Sequence, residues 1–129
     1  MKRTIRYGLA GLGLALSCLL AAPAFAANFT GNCADAQDPA KFDGNGNADI
    51  TDGSCTITSL SATGHINIAA SGAVSIGTLS AGTSSSITGQ SINATGGIST
   101  NGGSLALVST NGLITTTALT SAFGGITIT

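Results

Sequence analysis

The stretch "GHINIAASGAVSIGTLSAG", residues 64–82, decides the fold. It contains no Asp, Glu, Lys or Arg, and in "INI" and "VSI" apolar residues alternate with small polar ones. Alternation with period two, β-branched residues and a glycine every few positions predict short strands and argue against helices. The stretch also repeats. "CTITSLSATGHINI" from Cys55 lies over "VSIGTLSAGTSSSI" from Val74, which places Ile57 over Ile76, Leu60 over Leu79 and Ala62 over Ala81, an offset of 19.

Followed outward, this frame continues to Ile98 and Leu119. On the other flank Ile66, Ile87, Leu105 and Ile126 recur at offsets of 21, 18 and 21. "INIAASGAVSIGTLSAG" from Ile66 and "LALVSTNGLITTTALTSAFG" from Leu105 match two turns apart, so the period is about 20 residues. An antiparallel sandwich needs no such register and marks its solvent face with charges. A parallel β-solenoid does need it, because each turn stacks about 4.8 Å above the last and similar side chains form ladders. The expected fold is all-β: a short parallel β-helix of about four rungs over residues 56–129. Ala69, Ala73, Ala81, Ala94 and Ala118 suit its interior and corners, and Gly64, Gly72, Gly82, Gly96 and Gly112 suit turns with positive φ.

The same stretch resembles the repeats of filamentous-haemagglutinin-type adhesins, secreted bacterial proteins built as long right-handed β-helices from "G-x-I-x-I-x-A-x-G-x-V-x-x-x-x-L-x-A-G" units. The likeness covers residues 55–129. It implies a β-helix; function does not travel with a fold, so an adhesive role is the alternative reading.

The N-terminus "MKRTIRYGLAGLGLALSCLLAAPAFA" has a basic start, an apolar run over residues 8–22 and the small-x-small ending Ala24-Phe25-Ala26. This is the layout of a secretory signal peptide, residues 1–26, and it implies a secreted, extracellular or cell-surface protein. A membrane anchor fits less well, since the run is short and broken by Pro23. Lipidation at Cys18 also fits less well, with Ala15 where such boxes carry Leu.

Beyond the signal the only basic side chain is Lys41, against Asp35, Asp38, Asp43, Asp49 and Asp52. That balance argues against nucleic acid or an anionic membrane as partner. Residues 27–55 read as an irregular, acidic N-terminal cap. In an oxidising compartment Cys33 and Cys55 are expected to form a disulfide, worth about 3 kcal/mol in the chain-entropy model.

Within this cap "DGNGNADITDGSC", residues 43–55, resembles the calcium loops of EF-hand, dockerin and thrombospondin-type repeats. The resemblance implies calcium as a cofactor. It sets Asp43, Asn45 and Asn47 at positions one, three and five, Asp49 at seven and the apolar anchor Ile50 at eight. Ala48 replaces the glycine at six, and Ser54 stands where a bidentate carboxylate belongs; Asp52 at ten is a candidate substitute, as are Asp35 and Asp38 if the disulfide brings them near. The competing reading is a solvated cap of Asx-turns.

Catalysis has little material. His65 has no second histidine or adjacent carboxylate in sequence, and "GTLSAG" around Ser80 is not a nucleophile elbow. Phe29, Phe42 and Phe123 are few for stacking sugars. The chain reads as a non-enzyme.

Past Cys55 no Asp, Glu, Lys or Arg occurs, whereas soluble β proteins blunt their strand edges with charge or proline. The segment "GGITIT" presents Ile126, Thr127, Ile128 and Thr129 as an open assembly edge. The expectation is a head-to-tail homo-polymer, the subunit of an extracellular fibre or matrix. Three alternatives compete: a monomer with a covered edge, a small adhesin with a cell-surface or matrix partner, and an ice-binding solenoid. The last would use Thr56-Thr58, Thr115-Thr117 and Thr127-Thr129, a ladder interrupted by Ser75-Gly77 and Ser99-Asn101.

Overall fold

The computed structural model describes residues 28–129; the expected signal segment and Cys18 lie outside them. In chain order the elements are β1 Phe29–Gly31, α1 Cys33–Ala36, β2 Ala48–Asp52, β3 Cys55–Ala62, β4 Ile66–Ala70, β5 Val74–Ala81, β6 Ser85–Thr100, β7 Leu105–Ser121 and β8 Ile126–Ile128. All the strand pairs among them are parallel. The chain is an all-β parallel solenoid of about 5 turns.

One side of the coil stacks β1, β2, β4, the start of β6, the start of β7 and β8. The remaining sides stack β3, β5 and the later parts of β6 and β7. The expected ladder holds: Ile57 pairs with Ile76, Leu60 with Leu79 and Ala62 with Ala81. It continues through Ile98 to Leu119. Leu105 pairs with Ile126, but Ile66 pairs with Ser85, and Ile87 belongs to the neighbouring ladder with Ile68. Ser85 is the inward residue there, and the apolar residue two positions later drew the sequence alignment onto itself, since a shift of two keeps the inward phase. The spacing runs from 18, Val74 to Ile92, to 22, Ile92 to Ile114, with the slack taken up by register shifts inside β6 and β7.

The stack starts earlier than expected and so gains about one turn. β1 and β2 lie inside the segment read as irregular, yet they pair as ordinary strands. Ala48 and Ile50 point inward and are buried, while Asp49 and Thr51 face out. Carboxylates on a solvated strand face disguise a strand as a polar loop.

The interior is a column of aliphatic side chains. Ile50, Ile57, Ile66, Ile68, Ile76, Ile87, Ile92 and Ile98 are essentially inaccessible to water. Each contributes roughly 1.5–3 kcal/mol relative to an exposed position. Ala81 and Ala94 lie inside as expected, joined by Ala48 and Ala62. Ala69, Ala73 and Ala118 are exposed instead. Two polar residues interrupt the column. The Thr100 hydroxyl donates to the Gly103 carbonyl at 2.9 Å, whereas the buried Ser85 hydroxyl has no hydrogen-bond partner. Of the five glycines expected at positive φ, only Gly112 adopts it, at 87°. Gly82 is required for a different reason: a Cβ there would overlap the Thr63 carbonyl oxygen of the preceding turn.

Candidate functional site

The two ends of the stack are built differently, and the candidate residues divide between them. At the N-terminal head, α1 lies beside the first full turn. Its N-cap Asn32 accepts the Asp35 N–H at 2.8 Å. The expected disulfide forms between Cys33 and Cys55, whose Cα atoms are 5.5 Å apart. Phe29, Cys33, Ala36 and Phe42 join the buried core, and the two phenyl rings pack 5.5 Å apart.

Side chains at this head do the work of strands. Gln37 Nε2 donates to the Thr56 carbonyl at 2.8 Å, and Gln37 Oε1 accepts the Thr58 N–H at 2.7 Å. In a parallel ladder one residue bonds the carbonyl before and the N–H after its partner, so this single amide stands in for a strand opposite Ile57. Asn47 Oδ1 accepts the His65 N–H at 3.0 Å, and Asp52 Oδ2 accepts the Cys33 N–H at 3.1 Å. Beside this plug lies an open cavity of about 400 Å³, bordered by Gln37, Phe42, Asp43, Ser59, Leu60 and Ser61.

The five expected calcium ligands have these surroundings. Asp43 forms an Asx-turn: its carboxylate accepts the Asn45 N–H at 2.9 Å and the Asn45 amide at 3.0 Å. Those donors, the backbone one foremost, hold the Asp43 carboxyl below its ordinary pKa. Asn47 is engaged with His65 as described, Asp52 with Cys33, and Asp49 Oδ1 lies 3.1 Å from His65 Nε2. Asp43, Asn47, Asp49 and Asp52 thus each have an oxygen engaged by a different protein partner, and among the described residues no group of three or more His, Cys, Asp or Glu is placed to hold a metal. A calcium loop would need six to eight oxygens, Asn side chains and backbone carbonyls included, converging on one centre. Lys41 donates to Asp35, and this hydrogen bond raises its pKa.

At the tail the shielding disappears. The later part of β7 has no strand above it among the described residues. Leu113 is 65% exposed, Phe123 86%, Ile126 44% and Ile128 55%. The assembly edge expected at Ile126, Thr127, Ile128 and Thr129 lies here: β8 pairs with the start of β7 and covers Leu105 and Leu107. Ile114 and Leu119, one corner further on, are only partly buried.

The threonine pairs considered for ice binding do not form one ladder. Thr56 stacks on Ser75, Asn93 and Thr115, whereas Thr127 pairs with Ala106 on another side of the coil. The residue that sequence reasoning missed is Gln37. Its partners lie 19 and 21 positions away, and no local pattern marks it.

No family model matches the chain, and no curated protein or solved structure is significantly similar to it. Among the described residues, fold and ends together define a parallel β-solenoid whose head is plugged by side chains and whose last strands are paired on one edge. Of the resemblance to haemagglutinin-type repeats, the solenoid fold is what stands. Among the described residues no helix is long and apolar enough to cross a membrane.

Proposed function

We propose that this chain is a non-enzymatic structural protein of the cell exterior that associates end to end, as a subunit of a fibre or matrix. The observation that carries the reading is the tail, where Leu113, Phe123, Ile126 and Ile128 are exposed on a turn without a charged side chain. Unpaired strand edges recruit further strands, and charge is the usual defence against that. Placement outside the cell is supported by the Cys33–Cys55 disulfide and by the signal-like layout of residues 1–26.

The test is sedimentation together with electron microscopy of the secreted protein at neutral pH across a wide concentration range. Concentration-dependent oligomers or filaments are expected. Monodisperse monomers throughout would overturn the reading.

A second reading, a binding module, is favoured by the outward ladder Ser61, Ser80, Ser99 and Thr120 on successive turns. It predicts saturable attachment to cells or glycans that is lost when Ser80 and Ser99 are both changed to Lys.

A further inference from the structure

We propose that copies join through a strand pair, β8 of one copy with β1 of the next, in the register Ile126 to Phe29, Thr127 to Thr30 and Ile128 to Gly31. The proposal rests on the end-to-end reading above and names the surface that would make it. β1 and β8 lie on the same side of the coil. Among the described residues each is paired on one edge only, β1 with β2 and β8 with β7. All the strands of that side run in one direction, so a shift along the stack axis brings β1 of a second copy onto β8 as another parallel strand.

The hydrogen-bond phase selects the register. At every level of this side the inward residue donates its N–H to the residue preceding its aligned partner one level on. Phe29 donates to Asn47, Ala48 to His65, Ile66 to Ser84, Ser85 to Ser104 and Leu105 to Gly125, at 2.8 to 3.1 Å. The same rule at the joint sends the Ile126 N–H to the Asn28 carbonyl of the next copy. It then sends the Thr30 N–H back to the Ile126 carbonyl, and the Ile128 N–H to the Thr30 carbonyl. Among the described residues these groups have no partner: backbone polar groups alternate sides along a strand, and Phe29 uses its own toward β2, which turns those of Thr30 away.

Side-chain phase selects the same register independently. Phe29, Ala48, Ile66, Ser85, Leu105 and Ile126 form one inward ladder, and Thr30, Asp49, Asn67, Ser86, Ala106 and Thr127 the outward ladder beside it. Placing Thr30 on Thr127 continues both. The other sides of the coil hold four strand levels against six on this one. There the next copy brings α1 and the loop to Asn47. A helix is about 10 Å across against a strand step of about 4.8 Å, so this head can fill the level missing above residues 113–121.

The test uses the secreted full chain and a short thiol–thiol crosslinker. Thr30→Cys combined with Thr127→Cys in one chain is expected to give a ladder of dimers, trimers and higher species. Either substitution alone should give none, and a mixture of the two single variants should give dimers only. Thr30→Pro removes an N–H that β2 does not use, and is expected to weaken association at least about tenfold in sedimentation. Undiminished assembly of Thr30→Pro without crosslinking of the double variant would overturn this joint while leaving end-to-end association standing. Crosslinked dimers of Thr127→Cys alone would also overturn it, in favour of tail-to-tail pairing. Failure of the unsubstituted chain to associate at any concentration would overturn both this joint and the reading on which it rests.

Discussion

At the head of the stack, strand edges meet side chains from other turns; at the tail, among the described residues, they meet other strands, their own turn's serines or solvent. Gln37 occupies the edge of β3, Asn47 caps His65, Asp52 holds Cys33, and a disulfide ties α1 to the first full turn. Among the described residues of the tail, Ser109 accepts the Gly112 N–H at 3.1 Å and Ser121 the Gly124 N–H at 3.2 Å, each only three positions away in its own turn. The difference teaches what it takes to stop a solenoid. The strands of a middle turn are satisfied by their neighbours' backbone, so alternation and, at tight corners such as Gly82, the absence of a Cβ are what they require. An end needs particular amide and carboxylate groups placed to replace a strand.

The sharpest way to break this comparison is to make the same truncation at both depths. Ile68→Ala, in the middle of the column, is expected to cost about 4 kcal/mol, since the stacked turns above and below cannot collapse into the space. Ile114→Ala, at the open tail, should cost about 1 kcal/mol, because that side chain is already partly in water. Denaturant melts of the monomeric protein check both values. Equal losses would mean that the tail is covered in solution. Next comes the tether at the head: replacing Cys33 and Cys55 together by Ala removes a crosslink spanning 22 residues and should cost about 3 kcal/mol. The loss should show as a lower midpoint by circular dichroism.

How far such a molecule can be read from its sequence depends on where each contact's partner lies. Ile57 over Ile76 and Leu60 over Leu79 were legible because the same residue type recurs at constant spacing, which is how a ladder looks in one dimension. The beginning of the stack was not, because Asp49 puts charge on the outward face of β2 and a second carboxylate, Asp52, ends the strand. Ser85 was hidden by Ile87 two residues on. At the candidate site, the Asx-turn of Asp43 was legible in "DGN", as was the disulfide in the two cysteines that follow a signal-like N-terminus. Where the oxygens of Asn47 and Asp52 go was not. Their donors, His65 and Cys33, come from neighbouring turns, 18 and 19 residues away. The tail was legible as an absence of charge, a property of composition that needs no coordinates.

The plug itself gives a smaller effect. Gln37→Ala leaves the Thr56 carbonyl and the Thr58 N–H facing water instead of an amide. Both are solvent-accessible, so the cost to stability should be only about 1 kcal/mol. Its consequence for the β3 edge is larger in kind than in size. Hydrogen exchange at Thr58 should accelerate, and Gln37→Glu should restore part of the protection, because a carboxylate still accepts the Thr58 N–H although it cannot donate to Thr56. Unchanged exchange in Gln37→Ala would show that the edge is protected by the rest of the head.

The smallest effect concerns acid. The folded-state pKa of Asp43 is held below its ordinary 3.8 by Asn45. A depressed carboxyl stabilises the fold above its unfolded pKa and loses that contribution as pH falls through the folded value. Stability should therefore drop on acidification below about pH 4, and Asp43→Asn should flatten part of that slope. Lys41 behaves in the opposite sense: raised above 10.5 by Asp35, its contribution is present below that value and fades as pH rises through the folded pKa. Both groups are exposed, so each effect is small. Calcium separates the two views of Asp43 in the same experiment. An Asx-turn already occupied by Asn45 predicts a melting temperature unchanged by millimolar calcium at neutral pH, whereas a calcium loop predicts a rise that Asp43→Asn abolishes.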